Sequence, residues 1–565
     1  MTLTVILILT AAAIPYATLL PARARGTALL SVSIICLYLL QPPLPIRFSD
    51  FLLPTLSLLL AVAGWYWTRD LRLTIDDWRL GEKEDDGTQI DTDEFTERSH
   101  ELTRINTNFS LVTWRPLRLC VRFFRRLTDE HGLETSSVQS PVTSHQSLNL
   151  SVSQSPLSSD DRFTLILSFG LVLALSLFRY IPAEYRLTPS RPPSPLAVGI
   201  VMGVLIMGVF ILARLRPTPH APRPTPFIPI TLILLLFITL KTEPLAAALS
   251  TFFRSLTNQD TSLAAAADLN WLGFSYLAFR LLHTLRDRQS GLLPNLSLRE
   301  YLTYILFFPA LTAGPIDRAE RFTPEYRALP QLHGPDASRW FNGLLRIGTG
   351  LGKKFIIADA LAQGVALNPI NATQVQSTFW LWILLYGYAF RLYFDFSGYS
   401  DIAIGLGQLF GFHLPENFNY PYLKSNLTTF WQSWHITLSD WARFYVFSPL
   451  SRWLLKRPSK PSSTVIVLMT QLATMITIGL WHGVSGNFLM WGAWHGIGLF
   501  VHQQWRGRTR TWQRHLNDKP GQKRFWSFLA WFLTFHYVVL GWVWFLLPDI
   551  RLAGQTFLRL FGLGW

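Results

Sequence analysis

Long apolar runs separated by short polar connectors dominate the chain. Runs at 3–20, 52–67, 163–177, 198–215, 227–240, 379–390, 465–480 and 526–547 approach or reach the roughly 20 residues with which a helix crosses about 30 Å of hydrocarbon. The runs are continuous, and the ten-residue alternation of a membrane β-barrel is missing. The pattern predicts an all-α polytopic integral membrane protein, with about 11–13 membrane-inserted helices, some short or tilted. The first run lacks a positive n-region and a clear small-x-small cleavage site, so it is read as a retained transmembrane helix.

Breaks in the pattern divide the chain. Residues 1–68 hold N-terminal transmembrane helices. Residues 69–161 are polar, first mixed-charge ("GEKEDDGTQIDTDEFTERSHE") and then rich in Ser and Gln, the composition of a partly disordered cytoplasmic insert. Within it, Arg115, Arg118, Arg122 and Arg125 recur at helical spacing. A basic interfacial helix over 114–127 and a solvated loop helix account equally for that spacing. Peripheral transmembrane helices follow over 162–262, joined by Pro-rich connectors. From 263 to 547, polar and charged residues enter the apolar segments and define a core, and 548–565 form a tail.

Composition sharpens this reading. The 565 residues are 49% hydrophobic and 15% charged, with net charge +15. In a membrane protein such an excess marks juxtamembrane loops rather than nucleic-acid binding. The basic loops at Arg23/Arg25, Arg214/Arg216/Arg223, Arg452/Lys456/Arg457/Lys460 and 506–524 are therefore placed in the cytoplasm. Cys36 and Cys120 are the only cysteines, too few for a disulfide framework or a cysteine metal site. No internal repeat supports an inverted-repeat transporter.

Ionisable groups inside apolar segments are costly and mark function. In "FWQSWHITLSDWARFYVFSPL", His435 stands among Trp431, Trp434 and Trp441, and Asp440 and Arg443 are spaced to pair on one helix face. The segment is too polar to span and reads as a tilted or re-entrant element. In "GLWHGVSGNFLMWGAWHG", His482 closes an apolar run, "GVSGN" breaks the helix, and a second run returns through His495. With basic loops on both flanks, the tip of this hairpin points away from the cytoplasm. No HExxH occurs and no carboxylate neighbours His482, which argues against metal. "GVSGN" is no G-x-S-x-G elbow, which argues against a serine nucleophile. What remains for His482 is a base acting on a hydroxyl, or a structural histidine between helices.

"FWQSWHITLSDW", followed 47 residues after its histidine by "LWHGVSGNFLMWGAWHG", resembles the membrane-bound O-acyltransferase (MBOAT) family. The likeness is to its bacterial branch, typified by the membrane subunit of alginate O-acetylation and the D-alanyl-transfer protein of teichoic acid. "LGFSYLAFRLLHTLRDRQSG", "FFPALTAGPIDRAERF", "GLGKKFIIADALA", "YFDFSGYSDIAIGLGQLFGFHLPENFNYPY" and "VVLGWVWF" follow in the branch's order, over about half the chain.

The resemblance implies tilted helices around a central tunnel. It implies acyl transfer from a thioester donor, acetyl-CoA or an acyl-carrier protein, to a hydroxyl, without a metal. By position His482 matches the family's catalytic histidine and His435 its second. Trp434, Trp481, Asn417, Asn419, Asp317, Arg391 and Asp395 are candidate tunnel residues. For Arg391 and Asp395 an ion pair four residues apart on one helix is the simpler account. Lys353 and Lys354 follow the positive-inside rule, with donor phosphates as the alternative. His495 is read as packing. The implied partners are membrane lipid, an envelope glycan acceptor and an SGNH-type acyltransferase outside the bacterial plasma membrane. Gln432 and Ser433 stand where the family often carries basic residues, Phe444 where it often has Asp, and Leu546 where Arg is common. These departures bear on acceptor and partner. Acylation of a lipid or small-molecule hydroxyl is the alternative chemistry, and a transporter using intramembrane histidines as a proton relay is the alternative class.

Overall fold

A computed structural model describes residues 2–70, 157–186, 188–214, 227–332, 334 and 336–564. The 114–127 segment lies outside them. In chain order the helices are α1 (Leu3–Thr18), α2 (Arg25–Leu39), α3 (Ser49–Asp70), α4 (Ser159–Ser176), α5 (Pro195–Arg214), α6 (Phe227–Lys241) and α7 (Glu243–Leu256). Then come α8 (Phe274–Gln289), α9 (Leu298–Leu306), α10 (Ala319–Ala328), α11 (Ala337–Leu351), α12 (Asp359–Gly364), α13 (Pro369–Gln374) and α14 (Thr378–Leu409). The last group is α15 (Leu427–Trp431), α16 (Ile436–Ala442), α17 (Ser448–Leu455), α18 (Ser463–His482), α19 (Gly486–Arg508), α20 (Arg510–Leu516), α21 (Pro520–Leu546) and α22 (Ile550–Arg559). The protein is all-α. One isolated antiparallel bridge, between Phe418 and Trp434, is the only extended pairing among the described residues.

Five described helices are long and apolar enough to cross a bilayer alone, six if α6 and α7, which meet at 92°, are one broken span. Other elements are shorter or carry charge. Helix α14 shows how. Its apolar stretch reads as ending at Phe390, yet the helix runs 32 residues, through Arg391, Asp395 and Asp401. The charges are tolerated because the opposing element answers them. Past α11 the backbone widens into a π-helical stretch, Gly352–Ala358, which turns two lysines toward α14. Lys353 pairs with Asp401 (2.6 Å) and Lys354 with Asp395. Arg346 joins Asp401 (2.6 Å) and Glu416 (2.5 Å). Asp395 therefore pairs across helices rather than with Arg391, and both lysines have carboxylate partners on α14.

Helices α11 and α14 cross with their backbones touching. A Cβ on Gly350 would stand 2.6 Å from the Gly398 carbonyl oxygen, and one on Gly405 2.6 Å from that of Gly343. Small residues at a crossing maximise van der Waals contact where lipid supplies no hydrophobic drive. Arg280 plays a different structural part. Its buried guanidinium donates to the carbonyls of Ile305 (2.8 Å) and Ala310 (2.9 Å), satisfying one orphan carbonyl in the last turn of α9 and one just beyond it. Arg25, expected in a basic loop, is likewise buried and donates to the Leu332 carbonyl (2.5 Å) and the Ala17 carbonyl (3.2 Å).

Two apolar clusters organise the interior. The first joins α1–α3 to α8, α9 and the C-terminal half of α14. The second joins the N-terminal half of α14 to Trp431, Trp434, Trp491 and Trp542. Helix α8 serves both, with Leu277 and Leu281 facing one and Tyr276 and Phe279 the other. Both candidate histidines lie at the second.

Candidate active site

Helix α18 stops at His482 because Gly483 is extended (φ −179°, ψ 145°) and the chain then turns into α19. The tip is anchored twice. Val484 N–H donates to the Lys241 carbonyl (3.0 Å), and Asn487 Nδ2 donates to the Leu547 carbonyl (3.0 Å). The His482 imidazole sits in an aromatic cage of Trp481, Phe545, Trp491 and Phe488, with ring centroids 4.4, 4.7, 5.7 and 5.8 Å away. It makes no hydrogen bond among the described residues and remains partly accessible. Held by rings that offer no acceptor, both its nitrogens are available to a substrate.

His435 is built in the opposite manner. It precedes α16 with φ 43° and ψ 56°, a left-handed conformation that costs a non-glycine residue about 1–3 kcal/mol and survives only where its surroundings impose it. The surroundings are the short pairing of 417–419 with 433–436. Asn419 N–H donates to the Ser433 carbonyl and Ile436 N–H to that of Asn417, both at 3.0 Å. The ring is 2% exposed and stands edge-on to Phe396 at 4.7 Å.

A chain of donors sets its tautomer. Ile316 N–H donates to Thr437 Oγ1 (3.0 Å). Thr437 then donates its own hydroxyl proton to Asn417 Oδ1 (2.9 Å), which also accepts from Thr437 N–H (3.3 Å). That Asn417 atom is thus an acceptor, and the His435 Nδ1 at 3.0 Å from it must carry the proton. Nε2 is left as a bare acceptor, buried and without a partner.

Trp481 lies between the histidines. Its ring centroid is 6.1 Å from that of His435 and 4.4 Å from that of His482, its Nε1 is buried without a partner, and Tyr276 and Phe279 pack on it. The two imidazoles are within electrostatic reach of each other. Trp434 is a core residue, packed on Phe430, Trp542 and Phe418.

The other expected tunnel residues are placed as follows. Asn417 is fully buried and supports His435. Asn419 contributes its backbone while its residue is exposed. The Asp317 carboxylate is 4% exposed and bound to Arg321. Asp395 and Arg391 share the α14 face opposite Lys354, whereas Tyr393, Phe396 and Ser400 occupy the face toward Trp434, His435 and Asn417. Arg391 has no ion pair among the described residues. Asp440 and Arg443 pair as the spacing predicts (3.1 Å), at the surface. His495 is buried among Trp431, Trp491 and Tyr537. Among the described residues no cluster of three His, Cys, Asp or Glu side chains has metal-binding geometry.

Three features escape sequence reasoning. Thr437 sits two residues past His435 and looks like an ordinary helix residue. Lys241 goes unremarked, although a charge ending an apolar run is a signal that could have marked it. His283 forms a second buried network: Tyr304 donates its hydroxyl to the Asp317 carbonyl (2.7 Å) and accepts from His283 Nε2–H (2.5 Å). Tyr445, stacked on His283, donates to Asp287 (2.7 Å), which pairs with Arg318.

The all-α chain thus sets one hydrogen-bonded and one free histidine around a shared tryptophan. The family model described as MBOAT, membrane-bound O-acyltransferase family, matches residues 227–540, and the chain belongs to that family. The match takes in α6 and α7, ahead of the expected core boundary at 263. Similar curated proteins include a probable alginate O-acetylase AlgI of Pseudomonas syringae pv. tomato, 33% identical over 298 residues, 52% of each chain. A teichoic acid D-alanyltransferase of Streptococcus thermophilus is 32% identical over 285 residues, 49% of this chain and 68% of the relative. A peptidoglycan O-acetyltransferase of Helicobacter pylori is 33% identical over 270 residues, 47% of each. The match thus spans about half the length of the alginate O-acetylases.

Proposed function

We propose that this chain is a multi-pass O-acyltransferase of the bacterial plasma membrane, moving an acyl group, acetyl in the leading reading, from a cytoplasmic thioester to a hydroxyl of an envelope polysaccharide or of a partner protein that completes the transfer. The observation that carries it is the unequal pair: His482 unpaired in an aromatic cage, His435 locked by Asn417 with Nε2 open. The relatives named for alginate, teichoic acid and peptidoglycan support an envelope acceptor. Acetyl-CoA or an acyl-carrier protein is the donor, and an SGNH-type protein fits as the downstream partner.

His435 Nε2, an acceptor, takes a hydrogen bond from a second hydroxyl of the acceptor, beside the reacting one, and so orients the substrate while the reacting O–H stays directed at His482. It is not placed to donate to a thioester oxyanion, which narrows its role to the acceptor side. His482 removes the hydroxyl proton as the oxygen attacks the thioester carbonyl. The C–O bond forms, the C–S bond breaks, and the imidazolium returns its proton to the departing thiolate. Low dielectric around both rings strengthens each of these interactions. A thioester is reactive enough that no covalent enzyme intermediate is required.

The test is turnover by purified protein with acetyl-CoA or an acetylated carrier protein, compared with His482→Ala. Full transferase activity in the variant removes His482 as base. No turnover by the wild type with either donor removes acyl transfer and leaves the proton-relay transporter.

A further inference from the structure

Lys241 ends α6, and the chain turns sharply there into α7. Its carbonyl accepts from Val484 N–H at 3.0 Å, so it is tied to the turn that begins one residue after His482. Helices α6 and α18 both start beside basic segments, and their C-termini meet, which puts Lys241 on the extracytoplasmic side of the site. The residue is only partly exposed. Its ammonium has no carboxylate and no hydrogen-bond partner among the described residues, and it stands over the Phe237 ring, 6.0 Å from the centroid. The adjacent Thr242 Oγ1 is buried and equally unpartnered. The ammonium is within electrostatic reach of His482.

A cation half-removed from water without a counter-ion is costly to keep. Arg254, Arg321, Arg346, Lys353 and Lys354 all have carboxylates. Lys241 does not, and its backbone is tied to the turn that follows the free histidine. We infer that Lys241 is an acceptor-binding residue: it holds an anionic group, carboxylate or phosphate, of the incoming hydroxyl polymer and so presents a nearby hydroxyl to His482. This rests on the acyl-transfer reading and adds to it a selection for charged acceptors. Lysine suits the task as a point charge on a flexible stem, able to meet either anion.

The experiment uses the full chain in phosphatidylcholine nanodiscs, with an oligouronate, an oligo(glycerol phosphate) and a neutral oligoglucan of matched length. Equilibrium binding of each is measured for wild type, Lys241→Gln and Lys241→Arg, and acyl transfer to each from acetyl-CoA. The expected result is at least tenfold weaker binding of one or both anionic oligomers by K241Q, recovered by K241R. A matching fall in the anionic-to-neutral ratio of kcat/KM should arise in KM. The anionic oligomer that responds identifies carboxylate or phosphate. Equal losses on all three oligomers, or none, overturn the inference. So does a binding defect seen only with anionic lipid in the disc, which would make the lipid headgroup the ligand. The binding measurement decides the role of Lys241 even if wild type transfers nothing, an outcome that would sink acyl transfer instead.

Discussion

Asn417 Oδ1 and His435 Nδ1 lie 3.0 Å apart, both buried, and their contact decides what the histidine can offer a substrate. Asn417→Ala leaves Nδ1–H and the Thr437 hydroxyl without their acceptor and frees the imidazole to flip or change tautomer. Transfer should fall on the order of 10²-fold, the lower end of what a positioned proton-handling group supplies. The loss should appear in acceptor-dependent transfer while thioester hydrolysis by water, which needs no oriented acceptor, falls less. Parallel assays of the two reactions check this. Equal losses would reduce Asn417 to a packing role.

In the proposed mechanism His435 and His482 serve one step from the two sides of Trp481, so their deletions should not add. Each of His482→Ala and His435→Ala should abolish most transfer, and the double variant should be no slower than the slower single one, as for groups that act as a unit. Initial rates of the three variants test it. A double variant slower by the product of the single effects would show two independent contributions.

How much of this was legible beforehand follows from particular residues. The helices, the hairpin tip and both histidines rest on local signals: apolar length, a glycine-rich break, an imidazole out of place. The break falls at Gly483, beside His482, as the glycine pattern indicates. What failed was partnership. Asp395 reads as a mate for Arg391 because helical spacing is visible in sequence, while its mate, Lys354, lies 41 residues upstream on a π-helical turn that no periodicity announces. Nothing local shows that a bridge between 418 and 434 folds Asn417 under His435. Long-range pairing is fixed by packing, and a single chain's pattern carries little of it.

Those pairings separate two carboxylates expected in the tunnel. Asp317 is 4% exposed and accepts from Arg321 and from Arg318 N–H (2.8 Å). Asp317→Asn removes charge-assisted bonds from a buried site and should cost roughly 1–3 kcal/mol. The side chain of Asp395 is about half exposed (48%), so Asp395→Asn should cost well under about 1 kcal/mol and leave transfer within about twofold. Thermal unfolding in detergent, followed by tryptophan fluorescence, ranks the two. A larger loss for Asp395 would contradict the placement of α14.

The position of His482 depends on how closely α18 and α19 approach, and Gly492 sets that distance. A Cβ there would stand 2.6 Å from the Met475 carbonyl oxygen and 2.8 Å from the Ile476 Cα, backbone atoms that cannot move aside singly. Gly492→Ala must push the helices apart at a point about two turns before the end of α18, and the displacement is carried to His482. Since a misplacement on the order of 1 Å at reacting atoms costs about 10²-fold, the variant should lose transfer by up to that factor, with lowered stability. Gly170, in α4, provides the contrast. Nothing lies within 4 Å of a Cβ at that position, so Gly170→Ala should gain about 0.4–1 kcal/mol by restricting the unfolded chain, with transfer unaffected. Unfolding midpoints and transfer rates measured together decide the matter. If Gly492→Ala is as benign as Gly170→Ala, the hairpin does not hold His482 in place by close packing.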